Sequence, residues 1–169
     1  MSQSPPPGAQ RDPFSPAGVP FRPVSRSLIT VRLIVTALTL APALIAGVVL
    51  AALVSPWFWI VPGVVLALMA WLLWLIPRQV RAIGYAESDD DLVIRRGIMF
   101  KSMSVVPYGR MQFVDVHQGP LDRHFGISRV QLHTAAATTD ATLPGLPADE
   151  SSRLRDRLTA RGEARLAGL

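Results

Sequence analysis

From Leu33 to Pro77 the chain contains no Asp, Glu, Lys or Arg. A soluble domain carries roughly a quarter charged residues throughout, so water is not the solvent of this stretch. One bilayer span takes about 20 apolar residues, which makes the run too long for one helix and right for two. The pattern breaks at "LVSPWFW", where Ser55 and Pro56 interrupt the aliphatic sequence and Pro56 has no backbone N–H to donate. Spans are therefore expected at 33–54 and 57–76, within a hairpin segment 28–78. Hydrocarbon offers backbone groups no partner, which favours two helices and a very tight turn. Pro42 and Pro62 should kink them locally. The competing reading, a buried hairpin in a soluble protein, fails on size, because 169 residues leave too little chain to enclose it.

The flanks set the orientation. Arg11, Arg22, Arg26 and Arg32 precede the first span against one acid, Asp12, and Arg78 and Arg81 follow the second, while the connecting turn is uncharged. By the positive-inside rule both termini are expected in the cytoplasm of a multi-pass cell-membrane protein. Trp57 and Trp59 would lie at the outer boundary and Trp71 and Trp74 near the inner one, as an aromatic belt. Residues 1–27 are rich in Pro and Ser and poor in large apolar residues, which predicts a disordered tail. A tail of that length before so long an apolar run also argues against a cleaved signal peptide. The absence of cysteine excludes disulfides, thiolate zinc sites and cysteine nucleophiles.

After Pro77 the apolar run gives way to short alternating segments, the pattern of half-buried strands. The strands are expected at "QVRAIGYAE", "LVIRRG", "MFKSMSVV", "MQFVDVHQ", "SRVQLHT" and, more weakly, "DATLPGL". Gly97 supplies the positive φ that a reversal needs. The turn it opens carries Ile98, Met99 and Phe100 and is less polar than most hairpin turns. A helix should begin near Pro147, with Asp149 and Glu150 at its positive end and Leu154 and Leu158 as a narrow apolar stripe. The fold expected is a two-helix transmembrane hairpin, then a mainly β (α+β) domain over 79–162, an open barrel of antiparallel strands with a C-terminal capping helix, and a short tail over 163–169.

"VPYGRMQFVDVHQGPLDRHFGISRVQLHT" followed by "LPGLPADE" resembles the membrane-anchored bacterial pleckstrin-homology-like (PH-like) domain family of the YdbS type. That family's pattern runs Pro-Tyr-x-Arg-apolar, a strand, Gln-Gly, then x-x-Arg-x-Phe-Gly and another strand. Pro107, Tyr108, Arg110, Gln118, Gly119, Arg123, Phe125 and Gly126 occupy its positions. The resemblance covers about residues 80 to 160 and extends to the preceding hairpin. It implies a PH-like barrel with a capping helix, no catalytic residues and no cofactor. It also implies a membrane assembly with a related PH-like protein or with further copies of the chain.

His117, His124 and His133 are seven and nine positions apart, a spacing unlike any compact metal motif, and read as solvated surface histidines. Ser128 near His124 lacks a nucleophile elbow. No catalytic or metal site is expected. Arg110 and Arg123 read primarily as loop-fixing residues, and secondarily as ligands for an anionic headgroup or a partner carboxylate. From Arg78 onward thirteen basic residues face eleven acidic ones, too balanced for a generic polybasic lipid reader. The arginines of the last helix, Arg153, Arg155, Arg157, Arg161 and Arg165, are expected on a solvated face. Basic residues without interleaved exposed aromatics argue against nucleic acid. The sequence thus points to a non-enzymatic membrane protein with a cytoplasmic scaffold or interaction domain, the rival reading being a sensor of anionic lipid headgroups.

Overall fold

The computed structural model describes residues 20–135 and 140–167. An apolar helix α1 (Ser27–Leu53) is followed by an extended Ser55, a 3-10 turn over Pro56–Trp59 and a second apolar helix α2 (Ile60–Arg81). The break falls at Ser55–Pro56, as the sequence requires. Pro62 lies in the first turn of α2, where an amide N–H has no intrahelical acceptor, so it costs the helix no bond. Both helices are long and apolar enough to cross a bilayer, and little of their surface is covered by the rest of the protein. Leu38, Ile45, Leu53, Val64 and Trp71 all face outward.

The helices extend beyond the spans expected from the sequence. α1 begins at Ser27 and includes Arg32. α2 continues through Pro77 to Arg81, so the first long strand starts at Gly84 rather than Gln79. The extra turns are held by packing, because Leu28, Val31, Ile76 and Val80 are buried in the same apolar cluster as the β domain. The chain before the hairpin is also ordered from Pro20 onward. Arg22–Pro23 (β1) pairs antiparallel with Gly84 and Tyr85, Val24 is buried, and the Arg95 guanidinium lies 4.7 Å from the Phe21 ring centre. The expected tail up to residue 27 is therefore structured over its last residues. The part of that tail before Pro20 lies outside the described residues.

The β domain consists of two antiparallel sheets. One has the order β1-β2-β3-β4, with β2 Gly84–Glu87, β3 Asp91–Arg96 and β4 Ser102–Pro107. The other has the order β5-β6-β7, with β5 Met111–His117, β6 Ile127–Thr134 and β7 Ala141–Pro147. A short helix α3 (Pro120–His124) joins β5 to β6, and α4 (Ala148–Ala167) closes the domain. Alternation along β6 is as expected, with Val130 and Leu132 fully buried and Arg129 outside. β7 is no weak strand, since Leu143 and Leu146 are completely buried. Leu154 and Leu158 of α4 fill the same core.

Besides the β1–β2 pairing, a backbone contact beside α1 ties the hairpin to the barrel. The register of β6 and β7 slips between Ser128 and Arg129, which leaves Gly145 as the extra residue of a bulge with φ +76°. Its carbonyl accepts a 2.8 Å hydrogen bond from the Ser25 N–H, just before α1. A Cβ at this position would lie 2.7 Å from Leu28 Cδ2. Only glycine satisfies both the backbone angle and the approach. Gly145→Ala is therefore expected to destabilise the full chain by about 1–3 kcal/mol. By contrast Gly63→Ala, where a Cβ would meet nothing within 4 Å, should be neutral or mildly stabilising. Thermal unfolding of both variants in detergent checks the pair, and equal melting would refute the junction.

Candidate functional site

The motif residues divide by what their side chains touch. Tyr108 is buried at the end of β4, where its hydroxyl donates to the Ser88 carbonyl at 3.1 Å and its N–H to the Asp90 carbonyl at 3.0 Å. It anchors the β2–β3 turn. Pro107 sets the preceding backbone and pairs with Asp91. Gln118 Nε2 donates to the Ile127 carbonyl at 3.0 Å across the α3 loop. The Gly119 N–H meets Asp122 Oδ2 at 3.4 Å, and the Arg123 N–H donates to the Gly119 carbonyl at 2.8 Å. Phe125 packs against the core. Gly126, at φ +63°, ends α3 in the left-handed conformation expected of it, and its carbonyl accepts the Ala148 N–H at the start of α4.

Arg110 and Arg123 behave differently from the expectation. Both side chains are exposed and neither makes a hydrogen bond or ion pair among the described residues. The loop is fixed instead by Gln118, Asp122 and backbone bonds, so the guanidinium groups have nothing structural to hold. Arg123→Ala should leave stability within about 0.5 kcal/mol of the parent. Gln118→Ala should cost about 1 kcal/mol through the lost bond to Ile127. Urea unfolding of the full chain in detergent separates the two cases.

Three arginines of α4, Arg153, Arg157 and Arg161, do more than form a solvated face. Arg153, Arg157 and Arg161 recur every fourth position, beside the Leu154 and Leu158 stripe, and turn toward the β2–β3 hairpin. Arg153 Nε donates to Glu150 Oε2 and its Nη2 to Glu87 Oε1, both at 2.8 Å. Arg157 Nη1 reaches Glu87 Oε2 at 3.0 Å. Arg161 Nη1 donates to the Ser88 carbonyl at 2.6 Å and to the Tyr108 hydroxyl at 3.2 Å. Tyr85 Oη and Arg22 complete the set by donating to Glu150 Oε1 at 2.8 and 3.0 Å. The spacing 153, 157, 161 next to 154, 158 was the available signal, and its acidic partner Glu87 lies more than sixty residues earlier. Arg155 and Arg157 are both about half exposed, and of the two only Arg157 reaches the β domain, Arg155 pairing with its neighbour Asp156. The Arg165 side chain lies outside the description.

Bonds from Arg153, chiefly, hold the Glu150 carboxyl down at about 2, against the penalty of burial. The Tyr85 hydroxyl is pushed up to about 12 by burial and by Glu150. A depressed carboxylate contributes stability above its unfolded pKa, near 4.3, and loses it as pH falls toward the folded value. Glu150→Gln should cost about 1–3 kcal/mol at pH 7, with the difference from the parent vanishing as pH approaches 2. Stability measured across that acid range reads it directly.

His133 is not simply solvated. Its Nδ1 lies 3.0 Å from Asp140 Oδ2, its Nε2 3.6 Å from Asp115 Oδ2, and its ring stacks on Phe113 with centroids 4.3 Å apart. His117 and His124 are exposed, and no group of three metal-ligating side chains converges among the described residues. One open edge of the β domain is that of β5, which among the described residues pairs only with β6. Between that edge and α4 runs a groove of about 240 Å³, lined by Gln112, Phe113, Thr159 and Glu163 among others. Phe113 is 52% exposed there.

A helical hairpin whose ends enter a seven-stranded, helix-capped β domain, with no assembled catalytic group among the described residues, defines a membrane-anchored PH-like protein. Residues 28–162 match the family model of the bacterial PH domain, and the chain belongs to that family. It is also 35% identical over 75 residues to the UPF0699 transmembrane protein YdbS of Bacillus subtilis (strain 168), an alignment covering 44% of this chain and 46% of the relative. The match thus spans less than half of that protein. No solved structure matches the chain.

Proposed function

We propose that this chain is a non-catalytic integral membrane protein that crosses the cell membrane twice, with both termini in the cytoplasm, and that its PH-like domain over residues 79–162 is an interaction module. Its partner is a related PH-like membrane protein or a second copy of the chain. The observation that carries this reading is the β5 edge beside α4. An unpaired strand edge offers backbone donors and acceptors to an extended segment, and the adjoining groove offers a pocket for its side chains. Phe113, exposed and held by His133, is an aromatic anchor of the type that dominates interface energetics.

A photocrosslinking amino acid placed at Phe113 of the full chain in native membranes is expected to capture a PH-like membrane protein, while the same residue at Arg155 on the outer side of α4 should not. A chain that stays uncrosslinked and purifies as a monomer in mild detergent would contradict the reading. Reporters fused before Leu28 and after Leu169 should both report cytoplasmic exposure, and one inserted at Ser55 the opposite. A C-terminal reporter on the outer side would overturn the topology.

A further inference from the structure

Where the hairpin meets the β domain, three arginines gather without an acid between them. Arg32 lies in the second turn of α1, Arg96 ends β3 and Arg129 stands outward on β6. Arg129 acts electrostatically on Arg32. The Arg96 guanidinium is pushed below its usual range by burial first and by Arg32 second. None of the three side chains makes a hydrogen bond or ion pair among the described residues. Arg153, Arg155 and Arg157 of α4, by contrast, are matched to Glu87, Glu150 and Asp156. Half-buried like charges cost free energy unless an anion joins them.

Arg32 and Arg96 line a cavity of about 400 Å³ with Gln79, and its remaining wall is apolar, including Trp71, Met99 and Phe100. Met99 and Phe100 are 86% and 88% exposed, the most exposed large apolar side chains described. Their turn is tight, since Gly97 has φ +95° and a Cβ there would lie 1.9 Å from the Phe100 carbonyl oxygen. The cavity thus has a cationic end, and its apolar end runs without interruption into the outward surface of α2 at Trp71. A free anion would use the cations and leave the apolar wall wet. A molecule with a phosphate at one end and acyl chains at the other uses both.

We infer that this cavity holds one anionic phospholipid from the adjoining leaflet, its phosphate between Arg32 and Arg96, its chains passing Trp71, and the turn at Met99 and Phe100 seated at the boundary between headgroups and hydrocarbon. Arginine forms forked, charge-assisted bonds to phosphate oxygens. The nearly balanced charge of the whole β domain is no obstacle, because the lipid meets only the local cluster. Apolar side chains such as Met99 and Phe100 gain by burying their area at the headgroup–acyl boundary. This site is independent of the β5 groove, so its failure would leave the partner reading standing.

The test uses the full chain, delipidated in mild detergent and offered equal amounts of dioleoyl phosphatidylglycerol and dioleoyl phosphatidylcholine. Native mass spectrometry is expected to show one phosphatidylglycerol retained per chain in preference to phosphatidylcholine. Each cation near an anionic lipid is worth about fivefold, so Arg32→Gln with Arg96→Gln should weaken retention about 25-fold. The corresponding double lysine variant should keep the preference. Without lipid the glutamine variant should melt no lower than the parent, since repulsion has been removed, and phosphatidylglycerol should raise the melting temperature of the parent but not of the glutamine variant. Equal retention of the two lipids would overturn the inference, as would undiminished retention by the glutamine variant. Stabilisation by inorganic phosphate equal to that by the lipid would assign the site to a free anion and overturn it as well.

Discussion

The architecture depends on one shared core. Leu28, Val31, Ile76 and Val80, from the ends of the two membrane-length helices, and Ile83 just after α2 lie in the same apolar cluster as Leu92, Leu132, Leu143 and Leu158 of the β domain and its cap. Each such side chain contributes roughly 1.5–3 kcal/mol when withdrawn from water. Those helix ends therefore cannot leave the barrel without opening it. Gly145 is the narrowest point of the junction, because its bulge brings β7 backbone against Leu28. The family match beginning at residue 28 includes the hairpin, in keeping with that packing.

A second set of contacts, polar rather than apolar, fixes α4. Glu87 and Glu150 receive Arg153, Arg157 and Arg22, while Ser128 Oγ donates to Ser151 Oγ at 2.7 Å inside the domain. Tyr108 lies beneath this set, with Arg161 over its ring at 5.1 Å from the centroid. The tyrosine of the family motif thus connects the end of β4, the β2–β3 turn and the capping helix.

How much of this the sequence showed follows from the range over which each feature acts. The two apolar helices, the break at Ser55–Pro56, the alternation of β6 and the left-handed Gly126 are local, and each was legible from neighbouring residues. The helix boundaries were not. Arg32, Pro77 and Arg81 read as flanks to a rule based on hydropathy, yet they are helical because Leu28, Ile76 and Val80 bury tertiary surface. β1 was hidden in a Pro-rich tail because two residues pair only when β2 is present to receive them. The motif arginines showed the opposite failure. Arg110 and Arg123 drew notice by position, whereas Arg153 and Arg161, read as part of a solvated helix face, make the bonds. Pairing across more than sixty residues leaves no local signature.

The continuous core has a mechanical consequence for any encounter in the bilayer. A domain tethered by a flexible linker would tumble, and an approaching partner would have to capture it from all orientations. Here the helix ends and the sheets turn together, so tilt and height above the lipid are set before contact. What remains is lateral drift and rotation about the membrane normal. An encounter within the bilayer then gives up far less rotational freedom than one in solution.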